Sequence, residues 1–279
     1  MQSIYDVCAP AKLNLFLHIT GRRSDGYHLL QSVFMLIDWV DTLHFDLRSD
    51  GQISREDLVS PLPADDLVVR AARALKTASG TLLGAHIGVE KRIPAQAGMG
   101  GGSSDAASTL LALNRLWQLH YPLEKLVPIG LSLGADVPFF LGGRNAWVEG
   151  VGELLTPIQL PKRRFLVVKP AEGLETKLIF SDAGLKRDTE TAIISGFAAN
   201  IKDFGRNDLQ SVAQRLCPGV NQALKWLESQ GLSGRMTGSG SAVFAQVLDS
   251  FEPSSVPGTW QFRLCNSLEV HPLAGWAES

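Results

Sequence analysis

The stretch that most limits what this chain can become runs from Pro94 to Leu119. It is spelled Pro94-Ala95-Gln96-Ala97-Gly98-Met99-Gly100-Gly101-Gly102-Ser103-Ser104-Asp105 and then enters a helical pattern. Four of the five residues from 98 to 102 are glycine, which removes Cβ bulk and opens positive φ to the backbone. Ser103, Ser104 and Asp105 are types that favour helix N-termini, so they are expected to cap the helix that follows. Ala106, Leu110, Leu113 and Trp117 then recur on one face of a 3.6-residue period. A pliable loop feeding a helix start offers unpaired N–H groups at the positive end of the helix dipole, a natural anion and phosphate site. A glycine-rich turn before an ordinary core helix is the simpler alternative, but a turn needs neither four glycines nor three capping candidates. Two familiar nucleotide loops are excluded by spelling. Ser103 stands where a P-loop needs its second glycine, with no lysine after it, and neither Gly-x-Gly register has the third glycine of a dinucleotide fingerprint.

At 279 residues there is material for one large domain or two modest ones. A formal net charge of −2 leaves no basic footprint for nucleic acid or anionic lipid, so an anionic ligand must be held by local groups. Cys8, Cys217 and Cys265 are odd in number and far apart, which argues for a reducing compartment; the six histidines are scattered and no zinc site is expected. Residues 1–12 carry Asp6 and Pro10 where a signal peptide would be apolar, and no apolar run approaches a membrane span. A cytoplasmic protein of open oligomeric state is expected.

Strand-like alternation covers 7–20, then 32–40 and 42–48, with Asp41 expected to break them; 51–64 reads as loop or weak strand. A helix is predicted over 65–78, a strand over 85–89 and a second long helix over 123–133. Strand signals return at 145–149 and 153–157, and the polar, basic 159–164 is the best boundary, giving domains 1–160 and 161–279. Beyond it lie a strand at 165–169, helical runs from 176 to 229, a glycine turn with a strand over 235–247 and a final strand over 260–270. Runs of strands followed by runs of helices favour an α+β fold over a doubly wound sheet.

Three short stretches carry the polar residues that chemistry would need. They are Pro10-Ala11-Lys12-Leu13-Asn14-Leu15, the glycine loop, and Thr237-Gly238-Ser239-Gly240-Ser241; between the last two lies Leu133-Gly134-Ala135-Asp136-Val137-Pro138. Read alone, Lys12 could be a solvated edge charge, Asp136 a cap, and Gly238–Ser241 a hairpin turn. Their order and spelling together resemble the GHMP small-molecule kinase superfamily. Residues 10–15 with Gly21 to His28 are similar to the branch whose acceptor is a cytidine diphosphate methylerythritol.

The resemblance implies a two-domain α+β kinase, the N-terminal domain like domain 2 of ribosomal protein S5 and the C-terminal domain ferredoxin-like. It implies phosphoryl transfer from ATP to the 2-hydroxyl of that acceptor, with Mg2+ carried by the nucleotide. Pro94, Ala95, Gln96, Ala97, Gly98, Met99, Gly100, Gly101, Gly102, Ser103 and Ser104 would hold the ATP phosphates, and a side chain at Gly101 would be expected to crowd them. Asp136 matches the catalytic aspartate and Lys12 its partner; a carboxylate can accept the hydroxyl proton while an ammonium steadies the developing alkoxide. Asn14 would lie near the acceptor hydroxyl, Tyr27 and His28 would read the cytidine end, Phe180 would complete the stack, and Thr176 would touch sugar or diphosphate. Gly238, Ser239 and Gly240 would close on the substrate side and steady the first loop. Homoserine or mevalonate kinases leave Gly21 to His28 without a purpose, and a non-catalytic nucleotide-binding regulator does not need both Lys12 and Asp136. Asp66 stands where the family often has asparagine, which loses two donors, and residues 248–259 are short for a helix.

Overall fold

A computed structural model describes residues 2–201 and 204–278. The first half is built on a long antiparallel pair, β1 (Ser3–Arg22) and β2 (His28–Arg48). Then come β3 (Ile53–Asp57), α1 (Leu67–Ser79), β4 (Gly84–Glu90), α2 (Gly101–Leu116), α3 (Leu123–Leu133), α4 (Val137–Gly142), β5 (Ala146–Glu149) and β6 (Leu154–Pro157). The sheet runs β3-β4-β2-β5-β6 with β1 on β2, and only β3–β4 is parallel. The second half holds β7 (Arg164–Lys169), α5 (Thr176–Ser181), α6 (Ile194–Ala199), α7 (Gln210–Leu216), α8 (Pro218–Ser229), β8 (Arg235–Met236), β9 (Val243–Val247) and β10 (Gln261–Asn266). Its antiparallel sheet is ordered β10-β7-β9-β8, the first strand lying between the last and the third, as in a ferredoxin-like sheet. Residues 248–260 cross between β9 and β10 as coil where that topology usually places a helix.

The amphipathic pattern of 106–117 is realised: Ala106, Leu110, Leu113 and Trp117 are buried against α1 and the first sheet, and the Trp117 indole donates to the Gly84 carbonyl at 3.1 Å. A second core joins the two sheets, where Ala11, Leu13, Phe16, Met35 and Trp39 meet Phe165, Val167, Phe244 and Cys265. This explains why β1 is buried on both faces over 11–18 although its sequence alternates. Ala11, Leu13, Leu15 and Phe16 enter this second core, while Lys12 and Asn14 on the other face are covered by the glycine loop and Thr237.

Several sequence expectations change. Asp41 does not break a strand; β2 passes through it, and its carboxylate, fully buried, accepts from the Arg92 and Ile93 amides at 2.5 and 2.7 Å. Residues 51–64 do contain a strand, β3, held by parallel pairing that no local alternation announces. Helix α2 begins at Gly101 behind an αL Gly100, so Ser103, Ser104 and Asp105 sit inside its first turns and cap nothing. The last strand ends at Asn266, because the chain then returns to the first domain: Ser267 bridges Ile37, Val270 bridges Arg144, and Arg115 lies 4.3 Å over the Trp276 ring.

That returning segment contains His271, 2% exposed, whose Nδ1 accepts from the Leu273 amide at 3.0 Å. Burial pushes its imidazole down to about 4, against about 6.5 for a free histidine. The unfolded chain therefore binds the extra proton first, so this group's stabilisation is present above about pH 6.5 and is lost as pH falls toward 4. Denaturant titrations should show stability declining over that window, and His271→Gln should flatten the slope between pH 6.5 and 5. An unchanged slope would remove His271 as its cause.

Candidate active site

A cleft of about 830 Å³ lies between the two domains. Its walls carry Lys12 and Asn14 from β1, every residue from Pro94 to Ser103, Asp136 at the start of α4, Thr176 and Phe180 from α5, and Gly238 to Gly240. Ser104 is not among them. Its side chain is fully buried and its amide is spent on the Gly100 carbonyl at 2.9 Å, so neither faces a ligand. The amides of residues 101–103 have no acceptor one turn back and stand at the positive end of α2.

The two glycine turns are locked into one another. The Ser241 and Ala242 amides donate to the Gln96 and Ala97 carbonyls at 2.9 and 3.2 Å, and the Thr237 hydroxyl to the Gly98 carbonyl at 3.3 Å. Gly98 has φ +70°, and a Cβ there would lie 2.2 Å from the Thr237 carbonyl oxygen; one on Gly238, φ +52°, would lie 2.6 Å from that of Gly98. Both positions need glycine for backbone approach as well as for φ. Gly101 differs from expectation: its missing Cβ would point at Ile93 and Lys91, 3.0 and 3.1 Å away, so a side chain would press on the loop's support, not on the phosphates.

Lys12 is 4% exposed and fully engaged. Its ammonium donates to Asn14 Oδ1 at 2.6 Å, lies 3.4 Å from Asp136 Oδ2 and sits 4.3 Å over the Phe34 ring. A buried ammonium needs such partners to offset its lost hydration. Asn14 is in turn oriented by giving its amide to the Ser32 hydroxyl at 2.9 Å, while its backbone N–H donates to the Thr237 hydroxyl at 3.0 Å. Lys12 and Asn14 can meet because they are two apart on a strand and share a face. Asp136 reaches them across the cleft mouth with its side chain 30% exposed, and so remains open to a ligand.

At the other end of the cleft, Phe180 forms the wall, and His28, not itself a wall residue, stacks on it with ring centroids 5.0 Å apart and planes 34° from parallel. The Thr176 and Ser239 hydroxyls hydrogen-bond at 2.6 Å. Tyr27 is not brought to the cleft wall; it is 65% exposed on the 23–27 turn, where its carbonyl accepts from the Arg23 amide at 2.7 Å.

Two family patterns match the chain: the GHMP kinases N terminal domain over residues 66–144 and the GHMP kinases C terminal over residues 190–257. A curated relative from Albidiferax ferrireducens, 4-diphosphocytidyl-2-C-methyl-D-erythritol kinase, is 78% identical over 279 residues, covering 100% of this chain and 97% of the relative. The chain belongs to the 4-diphosphocytidyl-2-C-methyl-D-erythritol kinases of the GHMP family. A crystal structure of a 4-(cytidine 5'-diphospho)-2C-methyl-D-erythritol kinase superposes with a TM-score of 0.75 at 35% identity, over 88% of this chain and 90% of that one. Homoserine kinase from Cytophaga hutchinsonii shares the fold, with a TM-score of 0.72 at 16% identity over 97% and 96% of the two chains.

In this member of the family, sequence reading missed an ion cluster beneath the glycine loop. The Lys91 ammonium pairs with Asp41 and, at 2.5 Å, with Asp105, and Lys91 and Asp105 also line the cleft. Burial alone would lower the Lys91 affinity for its proton, but the two carboxylates outweigh it and raise it. Asp105 is pushed up to about 8 by burial against the pull of Lys91, the nearby Asp41 adding to the rise. Two dry carboxylates sharing one ammonium repel each other, which adds to the rise at Asp105. The three residues span 64 positions of sequence, and nothing local ties them together. Asp66 likewise serves the fold, capping Val69 at 3.1 Å and pairing with Arg55 at 2.6 Å.

The interlocked turns give a direct test. Gly98→Val should weaken binding of a non-hydrolysable ATP analogue by at least about tenfold, because a Cβ cannot coexist with the Thr237 carbonyl and the loop must shift. Titration calorimetry showing wild-type affinity would contradict this placement of the loop.

Proposed function

We propose that this chain transfers the γ-phosphoryl group of ATP to the 2-hydroxyl of 4-diphosphocytidyl-2-C-methyl-D-erythritol, within the cleft between residues 1–160 and 161–279. The observation that carries the mechanism is the Lys12–Asp136 pair, 3.4 Å apart at the edge of the phosphate loop. The unpaired amides at 101–103 and the α2 dipole hold the donor phosphates. Asp136 accepts the proton of the acceptor hydroxyl, and the Lys12 ammonium, aimed by Asn14, stabilises the alkoxide oxygen as it forms. Phosphoryl transfer asks little more of a protein than such alignment and charge stabilisation. Phe180 and His28 receive the cytosine, Tyr27 closes over it from its turn, and Thr176 with Ser239 contacts the sugar or diphosphate.

Mg2+ prefers oxygen ligands and keeps much of its water. The cleft fits an ion brought in on the nucleotide, with Ser103 and Glu175 on its wall among the described side-chain oxygens not paired to a cation; bound there it would offset phosphate charge. No helix among the described residues is long and apolar enough to cross a membrane. The free thiols of Cys8, Cys217 and Cys265 suit a reducing compartment, and on that ground we place the reaction in the cytoplasm.

Asp136→Asn should lower kcat by about 10²–10⁴ while leaving ATP affinity nearly unchanged, since the amide keeps the shape but cannot take the proton. Full activity would remove the base role. The acceptor is tested by offering the cytidyl substrate, mevalonate and homoserine in parallel with ATP and Mg2+. Only the first should be phosphorylated, and equal turnover of either other alcohol would defeat the assignment.

A further inference from the structure

Arg187 lies in the 182–193 segment between α5 and α6, outside the motifs that announce the kinase. Three of its five N–H donors are given to carbonyls: Nη1 donates to Leu185 at 3.0 Å, and Nη2 to Phe180 at 3.1 Å and Asp182 at 2.8 Å. A fourth, Nε–H, meets His28 Nε2 at 3.0 Å. A guanidinium has only donors, so that ring nitrogen must be the acceptor and carry no proton. A neutral imidazole with a bare Nε2 carries its hydrogen on Nδ1. No hydrogen bond to Nδ1 from another group is found among the described residues.

We infer that Arg187 is a positioning residue for acceptor recognition: it fixes His28 in the Nδ1–H tautomer, a constant donor toward an acceptor atom of the substrate's base. Cytosine offers such atoms in O2 and N3. The same guanidinium ties down the Phe180 carbonyl, so one side chain sets both the ring stack and its polarity. The charges facing His28 work in the same direction. Burial lowers its affinity for a second proton, and Arg187 and then Arg22 lower it further, while Asp182, the nearby carboxylate, is engaged by Arg215 at 2.7 Å. A doubly protonated ring would lose the Arg187 bond. This inference rests on the reading of His28 and Phe180 as the base site.

The test begins with the unmodified protein. The 15N shifts of the His28 ring should show the Nδ1–H tautomer near neutral pH, the form less favoured by a free imidazole. Arg187→Met removes every donor; it should release the tautomer and raise the acceptor KM by about tenfold, one hydrogen bond's worth, with kcat and the ATP KM within about twofold. Arg187→Lys, which keeps a donor for Nε2, should hold the tautomer and recover most of the acceptor KM. A wild-type ring protonated on Nε2 overturns the proposal, as does an Arg187→Met enzyme that is folded and keeps its acceptor KM. Failure of the underlying base-site reading looks different: Phe180→Ala would leave the acceptor KM unchanged while the His28 tautomer stayed as described.

Discussion

Everything in this site depends on two backbones crossing without side chains between them. Gly98 and Gly238 face each other so closely that a Cβ on either would meet a carbonyl oxygen of the other turn, 2.2 and 2.6 Å away. The contact fastens the second domain to the glycine loop of the first. Backbone bonds from Ser241 and Ala242 extend it like a short stretch of sheet. With the turns so fixed, the Thr237 hydroxyl reaches the Asn14 amide, and Asn14 orients Lys12. A crossing that looks like loop packing thus sets the position of a buried charge.

That charge is the second constraint. An ammonium 4% exposed survives because Asn14, Asp136 and the Phe34 ring replace its water. The same partners aim it. Beneath the loop a similar economy holds Lys91 between Asp41 and Asp105, bracing the start of α2 against β2. Two buried cations therefore flank one helix N-terminus, a place suited to the phosphates of a nucleotide.

The glycine loop and its helix were legible because their spelling carries its own physics, whereas Lys12, Asn14 and Asp136 stood out through the family resemblance of their surroundings. Period 3.6 marked the buried face of α2, and the loop's own spelling, with Ser103 in place of a second glycine and no lysine after it, excluded a P-loop. The helix start was misplaced by two residues, since Gly100 in αL opens it and the polar residues that usually cap fall inside. Asp41 read as a strand breaker because its charge is visible locally, whereas its partners at 91–93 and 105 are not. Strand β3, the return of 267–278 to the first domain and the reach of Arg187 to His28 across 159 residues are likewise long-range pairings without a local period. Tyr27 and His28 are neighbours in sequence, yet the turn at 23–27 leaves one exposed and stacks the other on Phe180.

The central claim is that donor phosphates and acceptor hydroxyl meet between the 98–103 loop and the Lys12–Asp136 pair. A crystal structure with a non-hydrolysable ATP analogue, Mg2+ and the cytidyl acceptor would test it most directly. The account predicts the γ-phosphorus in line with the acceptor 2-oxygen, that oxygen within hydrogen-bond reach of Asp136 and Lys12, and the phosphates on the 101–103 amides. Phosphates bound away from that helix start, or an acceptor hydroxyl remote from Asp136, would contradict it.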